Sequence, residues 1–92
     1  MDPKASIVLP AYNEAGTIED SVKKVRTALF ELDRSFEIII AENGSTDGTD
    51  RISKQLSQEY EGVSFLHTKK GRGNALRAAF KKANGDVILY MD

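Results

Sequence analysis

The sequence predicts an α/β fold: a four-stranded parallel sheet between helices, a three-layer α/β/α sandwich. Three observations carry this. Short apolar runs recur at residues 7–9, 36–41, 63–66 and 87–91. They continue without polar alternation, as strands buried on both faces do. Between them lie longer stretches of helical spacing, and strict strand–helix alternation implies right-handed crossovers and parallel pairing.

Taken in order, Ile7-Val8-Leu9 forms the first strand and runs into Pro10. Ile18, Val22, Val25, Leu29 and Leu32 then recur at helical intervals, with Lys23, Lys24 and Arg26 directed away from that stripe. Thr17 with Asp20 supplies an N-cap with an acidic partner. The second strand contains Ile38-Ile39-Ile40. Ile52, Leu56 and Tyr60 line the second helix, and Gly62 stops it. After the third strand, a helix runs from Asn74 to Ala83 on Leu76, Ala79, Phe80 and Ala83, broken by Gly85. The last strand closes on Val87-Ile88-Leu89-Tyr90-Met91. Phe30, Phe36, Phe65, Phe80, Tyr60 and Tyr90 are assigned to the core, and Lys81 and Lys82 to a solvated helix face.

Composition narrows the function. Ninety-two residues suit one domain, and neither a repeat nor a linker interrupts them. Thirteen Lys and Arg against fourteen Asp and Glu leave a net charge of −1, which argues against a dedicated nucleic-acid binder. Without cysteine there is neither a disulfide framework nor a thiolate zinc site, so a cytoplasmic setting fits. The apolar runs are far shorter than the roughly 20 residues that cross a bilayer, and the first residues lack a signal-peptide core.

In an open parallel sheet, ligands bind beyond the carboxyl ends of the strands. The segments preceding the strands read as plain solvated turns. Those following them hold Pro10-Ala11-Tyr12-Asn13-Glu14, then Glu42-Asn43-Gly44-Ser45-Thr46-Asp47-Gly48-Thr49, then His67-Thr68-Lys69-Lys70-Gly71-Arg72-Gly73-Asn74, and finally Asp92. Concentrated Gly, amide, carboxylate and basic chemistry therefore falls on one edge. Tyr12 can lie beside a nucleobase, and Glu42 and Asn43 can hydrogen-bond a base or ribose. Asp47 reads as a cap for the loop or second helix. Lys69 to Asn74 is a basic stretch leading into a helix, suited to a diphosphate. Its Gly-x-Gly follows the third strand, which speaks against a dinucleotide fingerprint, and no P-loop motif occurs. His67, the single histidine, reads as structural or incidental.

The segments Ile7-Val8-Leu9-Pro10-Ala11-Tyr12-Asn13-Glu14, Glu37 through Thr49, Gly71-Arg72-Gly73-Asn74-Ala75-Leu76 with Ala83-Asn84-Gly85-Asp86, and Leu89-Tyr90-Met91-Asp92 together resemble the family 2 glycosyltransferases. Within that family they look most like the dolichyl-phosphate mannose or glucose synthases. Four motifs in register, over the whole chain, make the resemblance specific. It implies a Rossmann-like GT-A domain binding a UDP- or GDP-linked sugar, of which residues 1–92 form the N-terminal, nucleotide-binding half. By the same resemblance Pro10, Tyr12 and Glu14 contact base and ribose, Glu42 and Asn43 read the base, and Lys70 and Arg72 lie near the sugar nucleotide. Asn43 stands where an Asp is more usual; an amide both donates and accepts, whereas a carboxylate only accepts. Asp92 aligns with the first Asp of an Asp-x-Asp motif that holds Mg²⁺ or Mn²⁺ against the diphosphate.

What the resemblance implies is an inverting, metal-dependent sugar transfer to an acceptor such as a polyprenyl (dolichyl) phosphate, at the cytoplasmic membrane face. The second Asp and the general base would lie past Asp92, so the span reads as a truncated, catalytically incomplete donor-binding part with no catalytic residue of its own. A non-catalytic nucleotide-binding or interaction module of the same fold is the alternative. A sugar-nucleotide pyrophosphorylase is disfavoured, because those enzymes carry a Gly-rich loop directly after the first strand. An uncovered fourth-strand edge would favour self-association.

Overall fold

The computed structural model describes residues 5–31, 35–69, 72–85 and 87–90, of which 72–76 and 87–90 by backbone alone. The strands are β1 (Ala5–Ala11), β2 (Phe36–Asn43), β3 (Val63–Thr68) and β4 (Val87–Tyr90). Between them run the helices α1 (Ile18–Glu31), α2 (Thr49–Glu59) and α3 (Arg72–Lys82). The sheet order is β3-β2-β1-β4, and every pairing is parallel.

Ladder pairing carries the first three strands past their apolar runs. Ala11 pairs with Glu42, Glu42 with His67, and Asn43 with Thr68. Hydropathy cannot see this extension, because backbone hydrogen bonding continues under polar side chains. α3 likewise starts at Arg72, two residues ahead of the expected Asn74. The first helical turn has N–H groups with no intrahelical partner, so residues of any polarity can occupy it without joining the apolar stripe.

The three consecutive isoleucines of β2 show why the strands read as unbroken apolar runs. Ile38 and Ile40 face one layer with Ile7, Leu9, Ala11, Ile18 and Val22 of β1 and α1, and Leu56 of α2. Ile39 faces the other layer with Val8, Ala41 and Ala79 of α3. Successive strand residues point to opposite faces, and both faces here are covered. All three isoleucines have no exposure, each worth about 1.5–3 kcal/mol of burial. With α1 and α2 on one face and α3 on the other, the winding direction reverses between β1 and β4. That reversal is where ligands bind in sheets of this kind.

Two core assignments fail. Phe30 is 62% exposed and Phe80 47%. Each lies one residue beyond a buried or partly buried position (Leu29 and Ala79), and one step along a helix turns a side chain about 100° off the packed face. Phe30 still meets the edge of Phe36, with ring centroids 5.6 Å apart at 89°. Arg26 also departs from its expected solvent orientation: its guanidinium lies 4.5 Å from the Tyr60 ring centre and 5.3 Å from that of Phe30. An Arg stem laid along aromatic rings gains packing as well as cation–π attraction. Tyr60, Phe36 and Phe65 pack against the core as expected.

The amino edge of the sheet is clamped by Ser6. Its buried hydroxyl donates to Glu37 Oε2 at 2.6 Å and accepts from the Gly85 amide at 2.8 Å, while the Asn84 amide donates to the same Glu37 oxygen at 2.6 Å. Gly85 lies so close to β1 that a Cβ there would sit 2.6 Å from the Ser6 nitrogen. Among the described residues, no helix is long and apolar enough to cross a membrane.

Candidate nucleotide site at the carboxyl edge

Two turns leave the carboxyl edge side by side, one after β1 and one after β2, and they are tied to each other by side chains. Asn13 takes a left-handed backbone with φ 50°, a conformation that asparagine tolerates better than most residues. From there its amide donates to Ser45 Oγ at 2.9 Å, and its own Oδ1 accepts the Thr46 amide at 2.8 Å. The exchange is reciprocal, so neither turn can shift without the other.

A second tie runs through Asp47 and Thr49. The Glu14 amide donates to Thr49 Oγ1 at 2.8 Å, and that hydroxyl donates onward to Asp47 Oδ1. Asp47 also accepts the Ala15 amide on Oδ2 at 3.1 Å and the Thr49 amide on Oδ1 at 3.0 Å. The last of these caps the start of α2, where Gly48 with φ 95° makes the bend. The Thr49 hydroxyl, and after it the Ala15 amide, hold the Asp47 carboxyl below the ordinary carboxylate range. Asp47 is thus the loop and helix cap expected of it.

Glu42 is fully buried. A buried carboxylate is costly unless it is paired and hydrogen-bonded, and both of its oxygens are engaged. Oε2 accepts the Ser45 amide at 2.6 Å, and Oε1 meets Nδ1 of His67. His67, read from the sequence as structural or incidental, is therefore the partner of the one fully buried acid among the described residues. Nothing in the sequence sets β2 beside β3 in the register that brings residues 42 and 67 level, so the pair emerges only with the folded sheet. Asn13, Ser45 and Thr49 stand inside the loops the sequence singles out, but without individual roles there, because those roles depend on two turns meeting in space.

Among the residues expected to form the site, Tyr12 is 40% exposed beside Asn13, and Asn43 is half-buried at the end of β2. Glu14 is exposed; its carbonyl accepts the amides of Thr17 and Ile18 at 3.0 and 2.9 Å and so starts α1. Pro10 and Glu14 also line one groove with Leu9, Ile18, Ser21, Lys24 and Val25. Arg72 opens α3. Lys70 and Asp92 lie outside the described residues. Among the described residues no three His, Asp or Glu side chains are grouped to hold a metal ion.

Comparison with known proteins gives this edge a context. The chain is 42% identical to the glycosyltransferase AglD of Haloferax volcanii over 93 aligned positions, covering 97% of this chain and 15% of AglD. It is 30% identical to the undecaprenyl-phosphate 4-deoxy-4-formamido-L-arabinose transferase of Salmonella choleraesuis, covering 97% of this chain and 28% of that enzyme. It therefore spans well under a third of the curated relatives it matches. In fold it is similar to the mannosyltransferase PcManGT from Pyrobaculum calidifontis, solved in complex with GDP-Man and Mn²⁺. The TM-score is 0.71 at 23% identity, covering 96% of this chain and 26% of the other. The model of the family "Glycosyl transferase family 2" matches residues 6–92. With nearly its whole length inside that match, the chain belongs to glycosyl transferase family 2.

Proposed function

We propose that these residues form the donor-binding half of a GT-A glycosyltransferase domain, holding the nucleotide of a nucleoside-diphosphate sugar at the carboxyl edge of β1 and β2. The observation that carries the reading is the reciprocal Asn13–Ser45–Thr46 bonding. It keeps the turn bearing Tyr12 against the turn that follows Asn43, next to the reversal between β1 and β4. A ring and an amide fixed on adjacent strand ends suit a planar base: one offers a stacking face, the other both a donor and an acceptor.

The donor is a UDP- or GDP-linked sugar, with Mg²⁺ or Mn²⁺ neutralising its diphosphate when bound. PcManGT, described with GDP-Man and Mn²⁺, supports that pairing. The acceptor in the longer protein is a lipid phosphate, as the name of the undecaprenyl-phosphate transferase suggests, and transfer proceeds with inversion at the cytoplasmic membrane face. Pro10, Tyr12, Glu14 and Asn43 are the nucleotide contacts in this reading, with Lys70 and Arg72 toward the diphosphate and Asp92 toward the metal. Glu42, expected from the resemblance to read the base, instead holds the turn through the Ser45 amide, because its side chain is fully buried with both oxygens engaged.

Titration with GDP and with UDP, each with Mn²⁺, tests the reading through the backbone amide signals of Tyr12, Asn43 and Arg72. Those signals should move, and one base should be preferred. A chain whose spectrum is unchanged at about 1 mM of either nucleotide does not hold a donor site.

A further inference from the structure

We propose that His67 is a positioning residue for the nucleotide, acting through Glu42 and Ser45 rather than by contact. The proposal rests on the donor-binding reading above.

Ala11, Glu42 and His67 stand at one level across three neighbouring strands. Glu42 has no solvent exposure, while the His67 side chain is 55% exposed. The buried carboxylate depends on what the protein supplies, and its two oxygens draw on different segments: the Ser45 amide in the turn after β2, and the imidazole on β3. Ser45 passes the constraint on, because its hydroxyl takes the Asn13 amide, and Asn13 returns a bond to Thr46. An unbroken chain of hydrogen bonds thus runs from an imidazole on β3 to the turn after β1. Tyr12 and Asn43 are the sequence neighbours of Asn13 and Glu42. Without the imidazole, Oε1 loses its donor inside the protein, and the carboxylate is no longer aimed at Ser45.

A carboxylate only accepts, so His67 serves by donating from Nδ1. Asparagine carries an N–H at the same remove from the backbone; leucine fills the space without one. Hydrogen exchange should therefore speed about 10-fold more at the Ser45 and Asn13 amides than at the Ile39 amide in His67→Leu, and stay within about threefold of wild type at all three in His67→Asn. The double variant Glu42→Gln with His67→Leu removes the lone buried charge, so it folds even if the single variant does not, and its Ser45 amide should still exchange faster than wild type.

Affinity for GDP or UDP with Mn²⁺ should fall about 10-fold in His67→Leu and recover in His67→Asn, a rescue that simple packing at this position does not produce. Wild-type exchange at Ser45 together with wild-type affinity in His67→Leu overturns the proposal, and so does equal loss in the Leu and Asn variants. A wild-type chain that binds neither nucleotide overturns the donor reading and this role of His67 with it. The exchange measurement then shows separately whether the turn depends on the imidazole.

Discussion

Asp47 and Ala15 join the turns that follow β2 and β1: Oδ2 of the one accepts the amide of the other at 3.1 Å, while Oδ1 caps α2 through the Thr49 amide at 3.0 Å. Since these bonds hold the carboxyl below its ordinary range, folding keeps Asp47 ionised where the unfolded chain takes up a proton. The stabilisation is complete above the ordinary carboxylate range and is lost as pH falls through the lowered value. Urea midpoints compared between pH 7 and pH 3 should drop more for wild type than for Asp47→Asn. Equal drops would show that Asp47 does not couple the turns to pH.

Gly85→Ala should destabilise the chain by about 2 kcal/mol, because the added carbon meets β1 backbone rather than a side chain that can move aside. Thermal melting gives the value. A melting temperature equal to wild type would show that the loop before β4 sits farther from Ser6.

Thr49→Val keeps the shape of a fully buried side chain and removes its hydroxyl. The Glu14 amide loses its acceptor and Asp47 a donor, so stability in urea should fall by about 2 kcal/mol. Exchange at the Glu14 amide should quicken in the same variant.

Much of the architecture was legible because the apolar runs and helical stripes are set by burial, which the order of apolar residues along the chain records directly. Strand order could not be read in that way. The error at Phe30 and Phe80 has a common source: a large apolar side chain counts as core by type, whereas its azimuth on the helix decides. At the carboxyl edge, Asp47 was legible from local turn chemistry. The Glu42–His67 pair was not, since it joins residues 25 positions apart through a register that only the paired sheet defines.

The corrected core makes its own prediction. Ile39→Ala should cost about 2–5 kcal/mol, and Phe80→Ser only about 1 kcal/mol, despite the larger side chain removed. Chemical denaturation of both variants decides the order.

For the nucleotide, Tyr12→Ala should weaken binding of the preferred diphosphate by about 10-fold while lowering the melting temperature by only a few degrees, since the residue is 40% exposed. Isothermal titration measures the first and calorimetric melting the second. Unchanged affinity would remove Tyr12 from the site.

The ties between the two turns also decide how an anion can be received there. The amides of Asn13, Glu14, Ala15, Ser45, Thr46 and Thr49 all donate to side-chain oxygens of the chain itself. A phosphate-cradling loop works by presenting free amides to its guest; here those six already have acceptors. Rigidity at this edge comes at the expense of backbone donors, so a diphosphate arriving beside these turns finds those six amides already taken.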